Sequence, residues 1–591
     1  MYKYKLSEIT FNDGTKIAPG NLTVIVGPNN TGKSRALKEI AAITTGESLL
    51  PKVIVTEVIW PFPPSVQELR DAYDIERYQD ERGNWTYRVL NPQLLDEASY
   101  SGGPEWPNGY TPENFHSAKG PNYLFFAQQF GKAMIAFLNT ENRLLLVKES
   151  ETPSHERQVS KILHAIYNAG RSREKEVREL TKRAFGQEIA LDFTVLQRIL
   201  LRVGADFSTL PPDPRDAKPI LSIAEKLDDQ GDGFRSFVGI VVGLMSLRRD
   251  VFLIDEPEAF LHPPQAFRIG EFLSDQATKS RQIILATHSA DVLRGILSKT
   301  QDVSIIRIDR TGEKNNFNVL DPQRLKEIVT DPLLSSARVL DGLFYSGAVV
   351  VEGQSDARFY HAVSNRRLPE SDLHFVNADN KQTVPRITTL YRDMGIRCVG
   401  VVDFDALNDH NEFRAQLKTI GLDESATSEA LAIQKEIATV AKQLPAQERL
   451  DSVKQQLSDL LTAVEECRSR SYSSESQAAS EQEKVLLGVA RKSSQLADST
   501  KAWKDLKQRG RAALPGQVQV RFDELWKACI SKGLVINPTG ELESLLVEHG
   551  IHPTTDKRGW IVQALQLIPS LQVDDTKYPW KLMSSIHRAL S

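Results

Sequence analysis

The chain has 591 residues, 73 Lys and Arg against 77 Asp and Glu, and a formal charge of -4, with 40% hydrophobic and 25% charged residues. At roughly 100–200 residues per domain that length implies three or four structural units, and the charge balance excludes a wholesale polycation while leaving room for a local basic groove. Only Cys398, Cys467 and Cys529 are present, without CxxC or Cys/His spacing, so neither a disulfide framework nor a structural zinc site is expected, and a reducing, cytoplasmic setting fits. The first residues alternate like a strand and lack the apolar run of a signal peptide. The longest strongly apolar stretch, Phe237 to Met245, is about half of the roughly 20 residues of a membrane helix, so no membrane span or membrane partner is expected.

Residues 1 to about 45 read as a strand, the turn Asp13-Gly14, a second strand Leu22 to Val26, a Gly-rich loop and a helix from about Lys33, the opening of a nucleotide-binding α/β unit. The loop Gly27-Pro28-Asn29-Asn30-Thr31-Gly32-Lys33-Ser34 satisfies GxxxxGK[ST] in the strand–loop–helix context that the motif requires. Gly27 and Gly32 let backbone N–H groups curl around phosphate oxygens, Lys33 adds a cation for the β/γ-phosphates, and Ser34 supplies a hydroxyl to Mg²⁺. Asn29, Asn30 and Thr31 complete this cofactor-binding loop. From about Trp60 to Tyr123 the composition shifts to Pro, Gly and aromatics, which predicts an irregular inserted lobe, packed on its own aromatics or turned to a partner. A charge-rich stretch, Ser154 to Phe185, within a helical segment of about 154–200, interleaves both signs and predicts a solvated helix face.

Val251-Phe252-Leu253-Ile254-Asp255-Glu256 predicts a buried strand ending in two acids. Asp255 can reach the Mg²⁺ and Glu256 can polarise the attacking water. Another strand, Gln282 to Ala286, leads to Thr287-His288-Ser289. Taken without the rest, His288 reads as a satisfied strand-end histidine and His262 as structural. A second α/β series follows: Ala348 to Val351, Leu373 to Val376 and Cys398 to Val402. The first ends on Glu352-Gly353 with Asp356 just beyond, and the third on Asp403-Phe404-Asp405, whose alternation points both acids to one side. Acids at the carboxyl edge of a parallel sheet stand where open α/β folds place their sites. They also have ordinary readings, Ser355 or Asp356 as a helix N-cap and Asp403 and Asp405 as solvated loop acids.

From about Asp423 to Arg509 apolar residues keep heptad spacing (Ile433, Ile437, Val440, then Leu450, Val453, Leu457, Leu460, Val464), break at a Ser-rich segment, and resume at Val489, Leu496 and Trp503. This predicts two antiparallel helices joined by a polar tip. After it come Glu541 and Glu543, then Lys557; alone, such acids are first-turn residues favoured by the helix dipole.

The ordered set of P-loop, Asp255-Glu256 and His288 resembles the ABC-type ATPase head of SMC and Rad50-like proteins. The resemblance implies that His288 contacts the γ-phosphate, that Gln128 or Gln129 senses the metal, and that a signature loop caps ATP from the opposite subunit of a homodimer. Here that loop is Gln230-Gly231-Asp232-Gly233-Phe234-Arg235-Ser236, which departs from the usual Ser-Gly-Gly core. Strand-Glu-Gly followed by strand-Asp-x-Asp resembles the Toprim domain, although Asn377 to Gln382 lacks the glycine often found at that turn. An ABC head, then Toprim, then Gly-Glu-Leu-Glu and a lysine is the layout of the OLD (overcoming lysogenization defect) nucleases, and the chain is similar to the Gabija A subunit and retron-associated OLD effectors of phage defence. The fold so implied is α/β: an ABC/SMC-like P-loop ATPase head with insertions over 1–340, then a Rossmann-like Toprim domain over 341–591 interrupted by a helical hairpin at about 423–509. The activity implied is metal-dependent DNA cleavage gated by ATP. Glu352, Asp356, Asp403, Asp405, Glu541 and Glu543 would hold two Mg²⁺ or Mn²⁺ ions, Ser34 and Asp255 a third with ATP, and Lys557 would stabilise charge on the phosphate. Glu256, His288, Glu352 and Lys557 are the catalytic candidates. Implied partners are DNA, a second copy of the chain, and an operon partner, either a helicase-like subunit or a reverse transcriptase with its RNA. The other reading is a non-nucleolytic SMC-like sensor whose Toprim domain only binds nucleic acid or a partner.

Overall fold

Three nearly continuous apolar runs, Leu22–Val26, Val251–Asp255 and Gln282–Ala286, are buried at every position, as a parallel sheet covered on both faces demands. In this computed structural model, which describes residues 2–47, 50–63, 66–73, 75–79, 85–89, 105–107, 116–117, 120–121, 127, 131–152, 162–195, 197–247, 249–278, 281–312, 314–336, 338–442, 446–471, 475–496, 501–554 and 556–590, they lie side by side. The sheet order is Ile135–Leu138, Val251–Asp255, Gln282–Ala286, Leu22–Val26, Ser304–Thr311, Lys314–Leu320. The first five are parallel and only the last pair is antiparallel. The phosphate loop, the acids after Asp255 and the segment around His288 therefore leave one edge of one sheet. This sheet belongs to the first of two units, Met1–Ser346 and Gly347–Ser591.

Trp60, at the start of the Pro-rich stretch, is buried in the first unit's core with its ring 5.7 Å from that of Tyr4. Further on, the described backbone forms a helix, Val66–Tyr73, and a three-stranded antiparallel sheet, Ile75–Gln79, Trp85–Val89, Glu105–Pro107. The lobe expected to be irregular is thus partly a small sheet. Trp85, Thr86, Tyr87 and Val89 favour extended backbone, a preference that the Pro and Gly count concealed.

The charge-rich helix, Arg171–Phe185, buries only Val177 and Thr181 and pairs Arg173 with the exposed Glu176 at 3.0 Å, as a solvated face should. The helical segment does not continue to about 200. Gly186 takes φ 72 and ends it, and Glu188–Asp192 and Arg198–Gly204 pair as antiparallel strands.

The second unit is built on four parallel strands in the order Leu373–Asn377, Gly347–Val351, Cys398–Val402, Leu534–Ile536. Its core gathers Val349, Phe359, Val401, Val535, Trp560 and Trp580. Between the last two strands the chain runs through Glu424–Lys442, Ala446–Ser469, Glu475–Leu496 and Lys501–Arg509, four helical pieces where the spacing suggested two. Of the expected seam, Ile433, Ile437 and Leu460 are buried, whereas Leu457 and Val464 are exposed. All three cysteines are buried, and among the described residues no helix is long and apolar enough to cross a membrane.

The returning helix meets the loop after Leu534–Ile536 backbone to backbone. A Cβ at Gly540 (φ 114) would lie 2.2 Å from the Lys507 carbonyl oxygen, and one at Gly510 would lie 2.3 Å from that of Pro538. Gly550 (φ 83) has open space around its Cβ position. Gly550→Ala is therefore expected to cost only backbone strain, roughly 1 kcal/mol, and Gly540→Ala clearly more. Urea midpoints of the two variants check the order.

Candidate active sites

The phosphate loop of the first unit is held in shape by its own hydrogen bonds. Gly27 (φ 144), Asn30 (φ 61) and Gly32 (φ 96) take left-handed backbone, which glycine and asparagine tolerate best. Lys33 is buried and its Nζ donates to the carbonyls of Gly27 and Pro28, both at 2.8 Å. Thr31 Oγ1 donates to Pro28 O at 2.9 Å, and Asn315, on the antiparallel edge strand, donates to Thr31 O at 2.8 Å. Asn29 and Asn30 are exposed.

Asp255 stands opposite. Burial raises its pKa, the Ser34 hydroxyl hydrogen-bonds to it, and its Oδ1 is buried without a protein partner among the described residues. A buried carboxylate oxygen beside a hydroxyl fits a divalent cation, which takes hard oxygen ligands. Glu256 follows in left-handed backbone (φ 48), its N–H bonded to Ala286 O at 2.9 Å and its side chain half open to solvent. His288 Nδ1 lies 3.7 Å from Glu256 and 3.5 Å from Glu258. The His288 N–H donates to Glu258 Oε1 at 2.8 Å, and burial raises the pKa of Glu258. The strained turn is gripped from behind by Arg143, fully buried, which donates to the carbonyls of Asp255 and Glu256, both at 2.8 Å. Burial lowers Arg143 to about 10, against the pull of Glu258 and its neighbours.

The signature segment takes a different form from that expected. Gly231 caps the helix Asp232–Ser246, so Gly233 lies inside the first turn, where a Cβ would meet the Phe260 carbonyl oxygen at 2.4 Å. Its missing side chain serves close packing within the chain. His262 is exposed and caps Pro263–Gln276 without a side-chain bond. Gln128 and Gln129 lie outside the described residues.

In the second unit three neighbouring strands deliver the acids. Glu352 follows Gly347–Val351, Asp403 and Asp405 follow Cys398–Val402, and Glu541 and Glu543 follow Leu534–Ile536. The Asp403 N–H donates to Glu352 Oε1 at 2.9 Å, and the Phe404 N–H to Gly540 O at 2.9 Å, which ties the three strand ends together. Burial first, then the charges of Asp405 and Asp356, push Glu352 up to about 7. Burial and Glu543 push Asp356 up to about 6, and burial with Glu352 and Asp356 drives Asp403 far above the carboxylate range. Two lysines oppose this. Lys557 Nζ lies 3.0 Å from Glu543 and 3.4 Å from Glu541, and Lys507 Nζ bonds Asp405 at 2.6 Å. Burial acts to lower both ammonium groups, yet their acid partners hold them above the usual value.

The six acids thus share one sheet edge without being closed into a cage: among the described residues, no three His, Cys, Asp or Glu groups are arranged to hold a metal ion as they stand. Asp405 Oδ1 is nevertheless buried without a partner among the described residues, and the donors are all hard oxygens under mutual repulsion, so the set fits divalent cations. At the turn lacking a glycine, Asp379 itself takes φ 63, supported by its N–H to Asn377 Oδ1 at 2.9 Å and by Asn377 Nδ2 to its own carboxylate at 2.7 Å.

Four residues escaped the sequence reading. Arg143 and Lys507 carry no local motif, and each is defined by partners far along the chain. Glu258, two residues beyond Glu256, has no motif role of its own. Tyr360 is buried within electrostatic reach of Asp356, Asp403, Glu352 and Glu543; its spacing of one helical turn from Asp356 was the available signal.

Compared with known proteins, residues 216–294 match the AAA_21 family model, an AAA domain, and residues 343–405 match the model of the TOPRIM domain of overcoming lysogenization defect protein-like chains. The first match spans Asp255, Glu256 and His288; the second spans Glu352, Asp356, Asp403 and Asp405 but not Glu541, Glu543 or Lys557. The Old nuclease of Escherichia phage P2 is 24% identical over 169 residues, 27% of this chain and 28% of that protein, so the match covers less than a third of the relative's length. Among solved structures, the chain is similar to an SMC head bound to the C-winged helix domain of ScpA (13% identity, TM-score 0.35, 55% of this chain and 100% of that one) and to the SMC head domain from Thermotoga maritima (14%, 0.26, 54% and 99%). A segment similar to an AAA domain and then one similar to the TOPRIM domain of overcoming lysogenization defect protein-like chains thus lie in this order on one chain.

Proposed function

We propose that the chain is an ATP-binding and ATP-hydrolysing DNA endonuclease that cuts with Mg²⁺ or Mn²⁺. The observation that carries this reading is the delivery of Glu352, Asp403 and Asp405, and Glu541 and Glu543 to the ends of three adjacent parallel strands. Glu352, Asp356, Asp403 and Asp405, with Glu541 and Glu543, would hold two cations. Bound there, such ions supply an activated water and stabilise the leaving oxygen. Lys557, more than half exposed, reaches from Glu543 toward solvent and can meet the charge that builds on the phosphate. In the first unit Lys33 and Ser34 would take the nucleotide with Asp255, and Glu256, aimed by Arg143, would orient water while His288 meets the γ-phosphate. Nucleotide state would gate access of DNA, in a homodimer formed through the ATPase units. An anti-phage role in the cytoplasm, with an operon partner that is helicase-like or a reverse transcriptase with its RNA, rests on the family resemblance.

A second reading, a non-nucleolytic sensor, has one observation on its side: Lys507 and Lys557 already pair with three of the acids. Plasmid cleavage separates the two. Wild type is expected to nick or cut with Mg²⁺ or Mn²⁺, and Glu352→Ala and Asp403→Ala to lose cutting while still binding ATP. Normal cutting by both variants would show that the metal site is misplaced, and no cutting by wild type under any metal and nucleotide condition favours the sensor.

Two further outcomes are expected. Glu256→Gln should slow ATP hydrolysis about 10²–10⁴-fold while leaving ATP binding intact, and its ATP-bound form should weigh as a dimer in mass photometry. Without metal, Asp403→Ala should melt no lower than wild type, because it removes a buried acid whose ionisation burial and its acidic neighbours oppose. Mn²⁺ added without nucleotide should raise the melting temperature of wild type and leave that variant nearly unmoved.

A further inference from the structure

Beside the acid cluster, within the same unit, lies a cavity of about 820 Å³ that none of the six acids lines. Its size falls in the roughly 300–1,000 Å³ range of small-molecule sites. Hydrogen bonds fix several side chains of its wall. Trp526 Nε1 donates to Ile536 O at 2.9 Å, which anchors the indole to the end of the last strand. Arg511 is gripped by Asp523 through two bonds of 2.7 Å and by Gln519 at 2.9 Å. Lys581 Nζ stands 5.7 Å from the centre of the Tyr578 ring. The lining carries Arg509, Arg511 and Lys581 against Asp523 and Glu548, three cations to two carboxylates, an excess of one positive charge.

Aromatic rings with surplus cations suit a flat ring that bears an anion. We propose that this cavity binds a nucleotide unit, its base against Trp526 and Tyr578 and its phosphate drawn to Arg509 and Lys581. The location favours the same ligand. Thr539 and Ser544 line the cavity and belong to the loop that carries Glu541 and Glu543, while Gln508 adjoins Lys507, the partner of Asp405. Ser544 Oγ donates to Gln508 O at 2.6 Å and joins the two segments. One loop thus presents acids on one side and the cavity wall on the other, so an occupant sits next to the place where a phosphodiester would be cut. That relevance to cutting rests on the nuclease reading; the binding itself does not.

The nucleotide could belong to a polynucleotide strand or be free, and the test has an arm for each. The full chain carrying Lys33→Ala, which silences the phosphate loop, is titrated without divalent metal, with labelled single-stranded oligothymidylate by fluorescence anisotropy and with dTMP by calorimetry. Tyr578→Leu and the exposed Lys581→Glu are then added in turn. Both additions are expected to weaken at least one probe roughly ten-fold or more, the scale of one stacked base. Loss of oligothymidylate alone assigns the cavity to a strand, and loss of dTMP assigns it to a free nucleotide. Binding of both probes unchanged by either addition, or no binding of either probe by the parent, overturns the proposal. A chain that binds through the cavity but never cuts DNA defeats the nuclease reading alone, and a chain that cuts while both additions bind like the parent defeats the cavity alone.

Discussion

Carboxylates brought together at one edge of a buried sheet repel one another, and the second unit is organised around that repulsion. Two unit charges about 4 Å apart interact by about 4 kcal/mol at the effective dielectric of a protein surface, so several acids cannot all stay ionised there unless cations join them. Glu352 at about 7, Asp356 at about 6 and Asp403 well above its usual value register the strain. Lys507 and Lys557 offset part of it. The parallel sheet explains why the acids meet at all: its strands share a direction, so whatever follows each strand emerges at the same edge.

The first unit handles a similar problem with different means. Asp255, Glu256 and Glu258 crowd one strand end, and a buried arginine fastens the backbone of that turn while a histidine bridges two of the side chains. The grip from Arg143 falls on carbonyls and takes none of the carboxylate oxygens, and Asp255 Oδ1 and Glu258 Oε2 are buried without a partner among the described residues. Placing an arginine there costs desolvation, visible in its lowered pKa. The return is a left-handed Glu256 whose side chain points out from an otherwise sealed strand end.

The helical insertion of the second unit does more than extend the chain. Its last piece, Lys501–Arg509, brings Lys507 to Asp405 and packs its backbone against Pro538 to Gly540, the approach to Glu541. Any rearrangement of the inserted helices would bear directly on two of the acid clusters. The cavity lined by Gln508 and Thr539 sits at the same junction.

Much of this was legible in the residues alone. The phosphate loop, the strand ending in Asp255-Glu256 and the strand-Glu-Gly and Asp-x-Asp pattern are local, because strand, turn and helix start lie within a few residues and leave spacing as their trace. The small sheet at 75–107 and the strands after Gly186 were hidden, since short antiparallel strands have little periodicity and take their stability from partners elsewhere. What the sequence by itself determined is the run of phosphate-loop and acidic motifs and the order in which they come. What only the tertiary structure decided is that Arg143 holds the turn of Asp255, that Lys507 answers Asp405, and that the acids share an edge without closing a cage. Those relations depend on side chains far apart along the chain being set against each other by strand order and burial, and neither is written in local spacing.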